Sequence, residues 1–134
     1  MFIGTPHHGT LTATVLCQFF SSVLLTQMRC GSETILDINS SFVHGVPERT
    51  LSSFYETKKL SFLGVRPIQI VSEDSATFDY PGQSPSMPLD GDHLEIVKYH
   101  SPNDNNFHIV SQQLAKMVGE VLGDEKKARN TVKT

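Results

Sequence analysis

The chain has 134 residues, 38% of them hydrophobic and 19% charged, with 11 basic against 14 acidic side chains and a formal net charge of −3. That length fits one domain of roughly 100–200 residues, and the mild negative balance offers no basic footprint for nucleic acid or an anionic membrane. Its two cysteines, Cys17 and Cys30, form no C-x-x-C pair. They make neither a disulfide framework nor a zinc or redox motif, which points to a reducing, cytoplasmic setting.

In chain order, "MFIGTPHHGT" runs three apolar residues into a Gly/Pro turn, the pattern of a strand's last residues. No earlier strand stands before it, so the chain is expected to be the C-terminal portion of a larger catalytic domain. Residues 12–25 carry apolar side chains at 15, 16, 19, 20, 23 and 24, a spacing that predicts a helix. The same stretch, "VLCQFFSSVLL", resembles the core of a secretory signal, but no Lys or Arg precedes it. It is also shorter than the about 20 apolar residues of a membrane span.

Ser32, followed by Glu33 and by Ile35, Ile38 and Phe42, predicts a second helix that Ser32 caps and Gly45 and Pro47 end. Leu51 to Glu56 is rich in β-formers and predicts a strand. "RPIQIVS" predicts another, because Ile68, Ile70 and Val71 make the near-continuous apolar run of a strand covered on both faces. "TFDYPGQSPSMPLDGDH" holds three prolines and two glycines and predicts a loop. Phe107, Val110, Leu114, Met117, Val118 and Val121 form one stripe of a helix that starts after residues 103–106 and ends near Gly123. A domain over 1–122 with a charged, flexible tail over 123–134 follows. Strands alternating with helices predict an α/β fold with a mostly parallel sheet.

In such sheets, working residues sit on loops beyond the carboxyl ends of strands. Three segments qualify: "GTPHHG" after the first strand, Glu56 at the end of "SFYET", and His93 in "LDGDHLEIVKY", after the strand expected in "RPIQIVSEDSA". Histidine exchanges protons near neutral pH. A carboxylate after one strand and a histidine after the next is the arrangement of an acid-oriented general base. The matching nucleophile would stand in G-x-S-x-G on a strand-to-helix elbow, and that motif is absent; "GQSPS" at 82–86 lacks the final glycine. His7 and His8 point in different directions with no third ligand near in sequence, and Asp90, Asp92 and Glu95 do not follow the calcium-loop pattern, so no metal or other cofactor is expected.

"FIGTPHHGT", "ILDINSSF", "SFYET", "IVSEDSA" and "DGDHLEIVKYHSPND" occur in this order over residues 2 to 118. Together they resemble the lipase-like serine esterases of the α/β-hydrolase fold. The resemblance is strongest to the domain that opens many fungal multidomain proteins, ahead of a nucleotide-binding signalling module or helical repeats. It implies that His93 is the catalytic histidine, that Glu56 is the triad acid with Asp74 as second choice, and that His7 and Gly9 border the pocket. His8 stands where those domains carry Arg, and Thr10 where they carry Ser. The resemblance also implies an ester or lipid substrate for the whole family domain. With no elbow serine, this chain is expected to be inactive alone. The alternative is a non-catalytic effector module that binds a protein partner or associates with itself through an exposed sheet edge.

Overall fold

The computed structural model describes residues 1–10, 13–14, 22–45, 51–61, 66–77 and 84–131. They form two compact units, Met1–Lys98 and Tyr99–Thr134. In the first unit a three-stranded parallel sheet, ordered β1-β2-β3, is built from β1 (Phe2–Ile3), β2 (Ser53–Glu56) and β3 (Met87–Leu89). Helices α1 (Val23–Gln27), α2 (Glu33–Gly45) and the short α3 (Glu73–Ala76) complete an α/β unit. Helices α1 and α2 touch each other, and α3 packs on β2.

β2 is the middle strand, and its burial reflects that. Phe54 and Glu56 have no exposed surface, and Ser52 and Ser53 almost none. Phe54 stands beside Ile3 in one register and Met87 in the other. Val71, Ala76, Leu89 and Ile96 close the core around it, each at 1% exposure or less. Ser72 caps α3, its hydroxyl accepting from the Ser75 amide at 3.4 Å, the local preference expected of serine at a helix start.

Two sequence expectations change here. "RPIQIVS" is not a strand of the sheet. Ile68 makes one antiparallel bridge with Leu60, and the amides of Ile70 and Val71 turn to the Glu56 carboxylate instead of a strand carbonyl. Conversely, the loop expected over residues 77–93 contains β3. Pro88 hides it, since proline gives no ladder donor; the position is tolerated because β3 pairs with β2 alone among the described strands. The helix expected over 12–25 lies largely outside the described residues; its last three positions fall in α1, which starts after the extended Ser22 and runs on to Gln27.

In the second unit, α4 spans Asn105–Thr131. Asp104 caps it, with Oδ1 accepting from the amides of Asn106 at 2.9 Å and Phe107 at 3.3 Å. Burial raises the Asp104 pKa, but the amides of His100, Phe107 and Asn106 outweigh that and leave it lowered. The helix continues past Gly123, where the sequence suggested an end. A mid-helix glycine costs only about 1 kcal/mol, and the "EKKAR" that follows is made of good helix formers. No helix among the described residues is long and apolar enough to cross a membrane.

Candidate active site

Because the sheet is parallel, the carboxyl ends of its strands meet along one edge. Gly4 follows β1, Glu56 ends β2, and His93 lies four residues beyond β3. The last of these is held in place by continued pairing after the strands end. Thr57 N–H donates to Leu89 O at 3.2 Å and Lys58 N–H to Gly91 O at 2.9 Å, while Lys58 Nζ meets the Asp90 carboxylate at 2.8 Å. Asp92 then organises the turn that carries His93. Its side chain accepts from the amides of Leu94 and Glu95, and its carbonyl accepts from Ile96 at 3.1 Å. Ile96 anchors that turn in the core.

His93 Nδ1 lies 2.8 Å from Glu56 Oε2. The Glu56 side chain is fully buried, whereas the imidazole is 33% exposed. The other carboxylate oxygen, Oε1, accepts from the amides of Ile70 and of Val71, the latter at 2.9 Å, and Gln69 Nε2 donates to the Glu56 carbonyl at 2.6 Å. The carboxylate is thus satisfied on both oxygens, which is what makes a buried acid tolerable. An ionised carboxylate only accepts, so the proton of the neutral imidazole sits on Nδ1 and the Nε2 lone pair is left for other chemistry. Nε2 has no hydrogen-bond partner among the described residues.

Gly4 sets the other side of the ring. With φ +60°, it takes a conformation that side-chain-bearing residues rarely adopt, and a Cβ there would lie 3.3 Å from His93 Cε1 and 3.1 Å from Ile96 Cδ1. The backbone of β1's end is therefore a floor for the imidazole. Sequence reasoning took Gly4 only as a break after "MFI". The signal that could have found it is a glycine directly after a strand end, in line with two other strand ends that carry polar residues.

Of the two acids expected, the structure brings Glu56 to His93 and leaves Asp74 elsewhere. Asp74 is exposed in the first turn of α3 and has no hydrogen bond or ion pair among the described residues. Gly9 and Asp74 line a separate cavity of about 630 Å³, together with His8 and residues of the 69–77 segment; Glu56, His93 and His7 do not. His7 turns inward instead, 3% exposed. Its ring meets Phe2 edge-on at 4.6 Å. Asn39 of α2 grips it twice, its amide donating to His7 O and its Oδ1 accepting from Nδ1–H at 3.4 Å.

Burial lowers the His7 pKa from 6.5; the Asn39 bond opposes this and the nearby His8 adds to it. A histidine with a lowered folded-state pKa contributes its full stability above the unfolded value and loses it as pH falls through 6.5 toward the lowered value. Thermal melts between pH 8 and pH 5, read by circular dichroism, are expected to show a fall that His7→Gln flattens. An unchanged slope in the variant would place the acid sensitivity on other groups.

Comparison of the chain with protein-family models, curated proteins and solved structures gives no match.

Proposed function

We propose that Glu56 and His93 are the acid and the general base of a serine-type ester hydrolase site, part of an α/β-hydrolase-like domain working in the cytoplasm. What carries the reading is the 2.8 Å bond between a fully buried carboxylate and a partly exposed imidazole at adjacent parallel strand ends. His93 Nε2 would take the proton of an attacking hydroxyl, and Glu56 would hold the tautomer and stabilise the imidazolium. The ordered motifs over residues 2 to 118 support the same assignment.

These residues contain no G-x-S-x-G, so the chain is assigned the acid and base and not the nucleophile. Removing the nucleophile of such a site costs about 10⁶ in turnover. The chain alone is therefore expected to give no His93-dependent hydrolysis of short p-nitrophenyl esters. A version extended upstream through a G-x-S-x-G elbow is expected to gain hydrolysis that His93→Ala and Glu56→Ala both abolish. An extended version whose turnover survives both substitutions overturns the reading.

One observation favours a second reading, a protein-binding module. Leu36 and Ile38 on α2 and Val23 and Leu24 on α1 are all more than 45% exposed. Sedimentation tests the self-associating form of this reading: a monomer at every concentration leaves a different protein as the only partner for the apolar surface.

A further inference from the structure

The cavity beside α3 has the makings of a ligand site of its own. It lies between the 8–10 turn, the 30–31 connection and residues 69–77, all in the Met1–Lys98 unit. Its walls are tied together. His7 N–H donates to Ser75 O at 2.7 Å, Ser75 Oγ donates to Gly9 O, and Gly31 N–H donates to His8 O at 3.3 Å. At about 630 Å³ it falls within the roughly 300–1,000 Å³ of small-molecule pockets.

The chemistry of the walls narrows the occupant. The hydroxyls are engaged inside the protein: Thr10 Oγ1 accepts from Ala13 N–H at 2.9 Å, Ser72 Oγ from Ser75 N–H, and Thr77 Oγ1 donates to Glu73 O at 2.9 Å. Ile70, two glycines and the Cys30 thiol offer surface with little hydrogen-bonding demand. Asp74 is different. It carries the one carboxylate on the described lining, no Lys or Arg lines the cavity among the described residues, and nothing described pairs with it. Its neighbour Glu73 instead acts on the Tyr55 phenol, whose pKa is raised by burial and by the Glu73 carboxylate.

We propose that this cavity binds a small molecule with an apolar body and a cationic amine, the amine held by Asp74. The inference is independent of the hydrolase reading, since neither Glu56 nor His93 lines the cavity.

Cys30 reports occupancy, because its thiol is free and lines the wall. Trypsin cleaves after Arg29 and so separates Cys30 from Cys17, and added N-acetylcysteine serves as the in-sample reference. Benzyltrimethylammonium at millimolar concentration is expected to slow iodoacetamide alkylation of Cys30 relative to N-acetylcysteine, and neutral benzyl alcohol to do so far less. Asp74→Asn is expected to weaken protection by the ammonium about fivefold, the size of a solvent-facing charge pair. His93→Ala is expected to leave protection intact, so failure of the hydrolase reading would not touch this one. No protection by the ammonium, equal protection by both probes, or undiminished protection in Asp74→Asn overturns the proposal.

Discussion

Gly9→Ala is expected to destabilise the Met1–Lys98 unit by more than about 4 kcal/mol, enough to unfold many domains of ordinary stability. Two costs combine. Gly9 has φ +76°, and its added Cβ would overlap the Arg29 carbonyl and lie 2.8 Å from Cys30 N. Both obstacles are backbone, so no side chain can swing away to make room. Thr10 N–H donates to Met28 O at 2.9 Å and Thr10 bridges Arg29 in parallel, which holds the two segments at that spacing. Gly31 separates the two costs, because it has φ +69° with nothing within 4 Å of its would-be Cβ. Gly31→Ala is expected to cost only the backbone term of about 1–2 kcal/mol. Urea unfolding of both variants measures the difference. Equal losses would mean that the approach of residue 9 to residues 29–30 is not as close as described.

The second large effect is at Glu56. Glu56→Ala leaves the amides of Ile70 and Val71 and the Nδ1–H of His93 without their acceptor. Each buried donor left unsatisfied costs about 1–3 kcal/mol, so the loss is expected to reach about 3–5 kcal/mol. Glu56→Gln keeps the shape, and its amide oxygen can still accept from residues 70 and 71. Its loss is expected to be smaller, about 2 kcal/mol. The chemistry changes more than the stability. The new side-chain NH2 faces Nδ1, which must then accept, so the imidazole proton moves to Nε2 and the outward lone pair is lost. Nitrogen NMR of His93 is expected to show the Nδ1–H form in the natural chain and the Nε2–H form in Glu56→Gln. An Nδ1–H tautomer that persists in the variant would remove Glu56 as the group that orients the ring.

The same carboxylate explains why part of the fold was hidden from a linear reading. Ile68, Ile70 and Val71 have the composition of a buried strand, and composition reports only what a segment prefers among its own conformations. An acceptor at Glu56, 14 and 15 residues away along the chain, took the amides that a strand would have given to its neighbour. Met87–Leu89 shows the reverse case. Pro88 and the surrounding turn residues suppress the local signal, yet β2 supplies partners on the side where proline's missing donor is harmless.

Sequence alone determined the α/β alternation, helix α2, the start of α4, the strand ending at Glu56, and the choice of Glu56 and His93 as paired candidates. Each of these depends on spacing or residue type within a few turns of chain. Only the tertiary structure decided that Glu56 and not Asp74 reaches the imidazole, that Gly4 floors the ring, that His7 faces the core, and that Asp74 lines a separate cavity. Those outcomes depend on which groups, distant in sequence, meet when three parallel strands end along one edge. A buried carboxylate goes wherever the fold can satisfy both of its oxygens, and no local pattern carries that information.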